Sequence, residues 1–438
     1  MANPLISIFR VKELKERIFF TTMMLVVFRI GAYIPIPGIN VQNLQLALLA
    51  GSTGNFIVDY LDFFAGGAFS NFSVFMLGIM PYISMSIIMQ LLLIVFPKLK
   101  KISQEEGGKK KIQKYQRIGT VGICLVQSFA VTQYANSLGE QILTIPLWPN
   151  FTIVAMITVT TGTMFLMWIG EQITKRGIGN GISILIFAGI VARLPTALWE
   201  LFNLVQRGEL NPILVIVILG IFVAVVTLVV YEQQGQRKIP VNYAKRVVGR
   251  RMYGGAPNAF IPFKINPSGV IPVIFASSIL TFPMQILSSF EAPWVRAVVD
   301  ALRPHGTLYN ILYVLLIVFF AYFYTQVSLN PSEISKQIRE NGGSIPGIRS
   351  DKMEDYLTRI LNRIVLPGSL YLAAIAVLPS IYMSLFSFPS SVSYILGGTS
   401  LLIMVGVDLD TMSQIEGLLK MHHHEGLTRK GRLKGRNL

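Results

Sequence analysis

Runs of about twenty apolar residues recur along the chain, and they constrain its fold more than any other feature. Ten can be placed, at 18–36, 73–96, 117–136, 151–170, 181–200, 212–231, 267–289, 309–328, 364–385 and 393–411. Each is near the length a helix needs to cross roughly 30 Å of hydrocarbon. Only 14% of the 438 residues are charged, against about a quarter in soluble domains, while 52% are hydrophobic. The expectation is an all-α polytopic membrane protein with ten transmembrane helices. The start, MANPLISIFRVKELKERIFF, has no short apolar core ahead of a small-residue cleavage site, so the first run reads as a retained anchor. The single cysteine, Cys124, lies inside an apolar run, which excludes an internal disulfide or a cysteine zinc site.

The net charge of +16 would suggest nucleic acid in a soluble protein. Here the segments between runs sort by charge. One face collects Arg10, Lys12, Lys15 and Arg17, the eight basic residues of KLKKISQEEGGKKKIQKYQR, and Arg237, Lys238, Lys245, Arg246, Arg250, Arg251 and Lys264. The other face holds Arg207, Arg296 and Arg303, with Arg193 near it. The positive-inside rule then makes the charged face, with both termini, cytoplasmic. On this reading 1–17 is an amphipathic cytoplasmic arm and 18–200 carries the first five spans. An outer loop and the sixth span occupy 201–232, spans seven and eight 267–328, and spans nine and ten 364–411, before a basic tail at 412–438. The intervening loops, 233–266 and 329–363, are much longer than ordinary connections. QRKIPVNYAKRVVG in the first has the pattern of a protruding hairpin. The second reads as a short helix, a turn and an amphipathic helix. Long structured loops on one face favour a docking platform over mere linkers.

Little in the spans could perform chemistry. His305 lies in an outer loop and His422, His423 and His424 lie in the tail. Asp408, Asp410 and Glu171 fall at span ends, whereas ion-coupled carriers keep ionisable groups near the midplane. GIGNG at 177–181 follows a membrane helix rather than a strand, so it reads as a tight turn and not a phosphate loop. Arg29 admits two readings: a structural or gating contact inside the bundle, or an arginine snorkelling to the outer interface.

One segment does not fit a plain span. FIVDYLDFFAGGAF, at 56–69, precedes a break near Ser70–Asn71 and then an apolar stretch from about Val74. Non-helical backbone at membrane depth is tolerated only inside protein or beside a water-filled cavity. The segment is therefore either a short re-entrant helix filling a cavity, which is a plug, or an interfacial helix lying on the outer surface.

Several stretches resemble the SecY family, the channel subunit of the Sec protein translocon. GGAFSNFSVFMLGIMPYISMSIIMQLL and GEQITKRGIGNGISILIFAGIVARLP are similar to its two long signatures. VNYAKR, NPSGVIPVIFASSI, IPGIR and GGTSLLI match further along, in the family's order. The resemblance implies two pseudo-symmetric five-helix halves around a central pore, with a plug at about residues 57–70 that includes Asp59, Asp62, Phe64, Gly66, Gly67 and Phe69. It implies a pore ring of Ile83, Ile87, Ile186, Ile190, Ile274 and Ile403, for each of which ordinary helix packing is the alternative. A lateral gate between spans two and three on one side and seven and eight on the other is implied too. Gln90, Gln127, Ser277, Ser278 and Thr281 are polar residues on those helices. Interhelical hydrogen bonds in lipid are worth about 0.6–2 kcal/mol, enough to latch a gate and weak enough to release it. Arg349 in IPGIR matches a functionally sensitive arginine of the family, and Arg250 and Arg251 are further candidate docking contacts. The implied partners are SecE-like and SecG-like small membrane subunits, the SecA motor ATPase, the ribosome, translocating preproteins with their signal sequences, and membrane lipid. No catalytic activity and no cofactor are implied; the expected location is the bacterial cell membrane.

Overall fold

The computed structural model of the chain describes residues 11–44, 62–137, 142–144, 146, 150–208, 210–243, 246–248, 251–253, 260–287, 295, 298–299, 301–302, 306–386, 393 and 397–430. A helix lies in each of the ten apolar runs, with ends set by local chemistry rather than by hydropathy. In chain order the helices are α1 (Lys12–Gly31), α2 (Met80–Val95), α3 (Pro97–Gln104), α4 (Gly108–Ser137), α5 (Thr152–Arg176), α6 (Gly181–Gln206) and α7 (Pro212–Gln234). They continue as α8 (Ile271–Leu287), α9 (Thr307–Ser328), α10 (Pro331–Glu340), α11 (Met353–Phe386) and α12 (Gly398–Lys430). Among the described residues, six helical stretches are individually long and apolar enough to cross a membrane, and seven if the bent pair α2–α3 is one span.

That pair turns by 104°. Phe96 precedes Pro97 and is extended, at φ −106° and ψ 103°, because the proline ring disfavours helical backbone in the residue before it. The other end of α2 departs from the sequence expectation. The run 73–96 reads as one span, yet the helix begins at Met80. Phe72 at φ +43° and Gly78 at φ +57° are left-handed, so residues 66–79 form turns and α2 nucleates only beside Pro81. Elsewhere helices outrun their apolar cores: α4 starts at Gly108, α11 at Met353, and α12 continues to Lys430 through much of the expected tail. The described part of the expected N-terminal arm belongs to α1, where Glu13 accepts from Arg17 at 2.8 Å; residues 1–10 lie outside the described residues.

The chain divides into two compact units. The first comprises Met1–Trp199, Gln285–Glu291 and Ile403–Leu438; the second comprises Glu200–Met284 and Ala292–Leu402. In the first, Arg117 of α4 grips Glu171 of α5 through both carboxylate oxygens, at 2.8 and 2.6 Å, with Lys175 at 3.9 Å. The GIGNG turn is tied at three amides. Ile178 donates to Thr21 Oγ1 of α1 at 3.2 Å, Gly179 to Gln414 Oε1 of α12 at 2.9 Å, and Gly181 to Thr174 Oγ1 at 2.9 Å. Gly179 needs its φ of +77°, which a side chain would strain.

In the second unit the two long loops form one small packed body. β1 (Gln236–Pro240) pairs antiparallel with β5 (Phe260–Lys264), and β3 (Arg246–Val248) pairs with β4 (Arg251–Tyr253) as a hairpin. β2 (Asn242–Tyr243) pairs with β6 (Gly343–Ser344) of the other loop. Ile239, Val241 and Phe263 from the first loop pack with Ile338, Ile345 and Leu357 from the second. Asn330 caps α10 by accepting from Ser332 N at 3.2 Å, which lets that helix start where Pro331 supplies the first turn.

Candidate functional site: a glycine-rich segment inside the first unit

Residues 66–79 form turns rather than a helix, and most of 62–79 is buried. One helical turn, 62–65, leads into Gly66 and Gly67, at φ +66° and +89°. Asp62 closes this turn twice: its carbonyl accepts from Gly67 N at 3.0 Å and its Oδ1 from Ser70 N at 2.8 Å. Two bonds then join the segment to the stretch that follows α1, from Ile36 N to Phe72 O at 2.8 Å and from Val74 N to Ile34 O at 2.9 Å. Phe69 and Phe72 lie 5.9 and 6.0 Å from the Tyr134 ring of α4, and Phe75 stacks on Phe28 of α1 and Phe165 of α5. Ala68, Phe72 and Ser73 have no exposed surface. The described part of the segment is thus enclosed by the first unit, while residues 56–61 lie outside the described residues.

Two arginines fasten its N-terminal end. Arg29 of α1 donates from Nη1 to the Gly66 carbonyl at 2.8 Å and from Nη2 to Tyr33 Oη at 3.2 Å. Its guanidinium therefore points inward to backbone, the bundle contact rather than the snorkelling one. Arg193 of α6 forms an ion pair with Asp62, whose side chain is only 4% exposed. One turn earlier on the same helix face, Gly189 touches Gly66: a Cβ on Gly66 would stand 2.6 Å from Gly189 Cα. The same face carries Ile186 and Ile190, both buried. Sequence reasoning placed Arg193 only as a charge near the outer face and did not single out Gly189 or Tyr134. The available clue was a glycine and an arginine four apart on one apolar helix, the spacing of a single face.

The remaining expected site residues are distributed as follows. Ile83 and Ile87 are buried one turn apart on α2, and Ile403 is buried in α12. Ile274 of α8, in the second unit, is half-buried, and its carbonyl accepts from Ser277 Oγ at 2.9 Å. Gln90 Oε1, Gln127 Oε1 and Ser278 Oγ are buried without a hydrogen-bond partner, and Thr281 is buried on α8. Arg349 is 81% exposed at the end of the IPGIR turn, with Asp351 Oδ1 3.6 Å from its Nε. Arg251 lies in β4, while Asp59, Arg250 and His305 fall outside the described residues.

Comparison with known proteins places this arrangement. The SecY family profile matches residues 73–412. The protein translocase subunit SecY of Borreliella burgdorferi is 47% identical over 424 residues, covering 96% of each chain. That of Escherichia coli K12 is 43% identical over 430 residues, covering 97% of this chain and 96% of its own. In fold, the chain is similar to a solved protein-conducting channel, with TM-score 0.63, 21% identity and 92% of each chain covered. A second likeness is to Sec61 in the canine ribosome–channel complex, with TM-score 0.60, 20% identity and 92% of each chain covered. A mostly helical bundle with long apolar helices, the quoted signatures in their order, and near-complete alignment with translocase subunits lead to one conclusion: this chain belongs to the SecY family.

Proposed function

We propose that the chain is the protein-conducting channel of a Sec translocase, passing unfolded secretory polypeptides across the bacterial cell membrane. The observation that carries this reading is 47% identity, over 96% of both chains, to a protein translocase subunit. All ten apolar runs span the membrane on this reading, with both termini cytoplasmic as the basic loops require. The plug is the segment at about residues 57–70, of which 62–70 are described. Its burial and its two arginine contacts support a seat inside the bundle, and its turns and glycines suit a piece that must leave without unfolding a helix.

Ile83, Ile87, Ile186, Ile190, Ile274 and Ile403 line the pore's waist. Branched apolar side chains hold neither water nor ions, so a narrow ring of them closes by dewetting. They can yield around an extended chain while offering it no specific binding, which gives passage without sequence selectivity. Release of signal and membrane segments into lipid takes place past Gln90, Gln127, Ser277, Ser278 and Thr281. The partnerless oxygens of Gln90, Gln127 and Ser278 support a polar latch that is re-made as the helices shift. The body built from the two long loops, with Arg349 at its exposed turn and Arg251 in β4, docks the SecA motor and the ribosome, with Arg250 as a further contact. SecE-like and SecG-like subunits complete the assembly. The channel itself hydrolyses nothing. Reconstitution with those subunits, a motor ATPase and a signal-bearing preprotein tests the reading: ATP-dependent protease protection inside the vesicles is expected, and its absence from active, correctly inserted material overturns it.

A further inference from the structure

The structure pairs Arg193 with Asp62, the one carboxylate of the 62–79 segment. We infer that the Asp62–Arg193 pair is an electrostatic latch that holds the plug seated, with Arg193 as its positioning residue. This inference rests on reading the segment as the plug.

Three features single out the pair. First, Asp62 joins two structures at once. Its Oδ2 meets Arg193 of α6, and its Oδ1 caps the segment's own turn through Ser70 N. Second, the contact beneath it has no interlock. Gly66 meets Gly189 backbone to backbone, with no side chain on either residue to hook into the other, so that surface can separate cleanly. Third, the two arginine fastenings lie at one end. Arg29 and Arg193 act on Gly66 and Asp62, whereas the far end of the segment runs on covalently into α2. Gly67, at φ +89° with open space where a Cβ would stand, supplies a pivot just past the latch.

The physics makes this a threshold rather than a spring. A carboxylate as buried as Asp62, once separated from its guanidinium, finds little water to replace it. The seated state is therefore favoured until the arriving polypeptide offers new contacts to offset the separation. Removing the guanidinium does worse than remove the attraction, because it leaves the Asp62 carboxylate buried without its counter-charge.

The test is anion leak from sealed vesicles carrying the complete translocase, with protein amount and melting temperature measured for each variant. Asp62→Asn is nearly isosteric and keeps an oxygen for Ser70 N, so it removes the charge with the least disturbance of the turn. It should raise the leak on the order of tenfold or more. Arg193→Lys should stay close to the parent chain. The double variant Asp62→Asn with Arg193→Met should leak less than Arg193→Met alone, since no buried carboxylate is left without its counter-charge, which a merely additive packing defect would not do. Gly66→Val, which breaks the seat without touching either charge, is the reference. If Gly66→Val leaks and Asp62→Asn does not, the latch is wrong and the plug reading stands. Additive leakage in the double variant also overturns the latch. If every variant is as tight as the parent, including Gly66→Val, the plug reading falls and the latch falls with it.

Discussion

Gly66 shows how little freedom single residues have around the buried segment. Its φ of +66° costs a β-carbon-bearing residue roughly 1–2 kcal/mol before any contact is counted. Gly189 then leaves no room for that carbon. Gly66→Val should therefore destabilise the first unit by about 1–3 kcal/mol, read as a lower melting temperature. Gly67→Ala meets no neighbour and should bear the strain alone, a smaller loss. Arg29 is the second such residue. Arg29→Leu removes the donor to the Gly66 carbonyl and should cost about 1–3 kcal/mol if that oxygen stays dry. A melting curve unchanged from the parent would mean that water replaces the guanidinium there. Neither role was legible in advance. A left-handed glycine and an inward-pointing arginine look the same in sequence as any other glycine and any snorkelling arginine. What separates them is a neighbour far along the chain: residue 189 for Gly66, and Gly66 itself for Arg29.

Elements were easier to read where one physical rule governed them, and harder where two competed. The extended β1 and the α10–turn–α11 succession follow from local patterning in QRKIP and SEISKQIRENGG. The partner of β1, by contrast, is β5 at Phe260–Lys264, outside the stretch QRKIPVNYAKRVVG expected to form a hairpin. The start of α2 does not follow from patterning, because residues 73–79 are apolar enough for a span while Gly78 and Pro81 dictate where helix can begin. The pairing of β2 with β6 was invisible for another reason: Asn242 meets Ser344 across about a hundred residues, and two-residue strands carry no periodicity. That pairing and the core beneath it make a separable prediction about the loop body. Leu357 is fully buried in this core, so Leu357→Ala should loosen both loops together, at about 2–5 kcal/mol locally. Limited proteolysis would show coupled cleavage in 232–266 and 329–363; cleavage confined to one loop would contradict a shared core. Arg349→Glu tests docking instead. Its side chain is 81% exposed, so stability should hold while motor-driven transport falls.

For the molecule as a whole, the sequence carried the family and the helix positions, because apolar length and long signatures survive without knowledge of packing. It could not carry the seat of the segment inside the first unit, which depends on three helices, α1, α4 and α5, meeting around Phe72 and Phe75. The central claim concerns all of these parts: a polypeptide in transit passes the apolar isoleucines after the segment has left its seat. Site-specific photo-crosslinking at Ile83, Ile186 and Ile274, in membranes holding a secretory chain stalled in transit, tests that claim most directly. Crosslinks from all three positions to the stalled chain are predicted. Crosslinks only near Gln90 and Gln127, or none at any position, would contradict it.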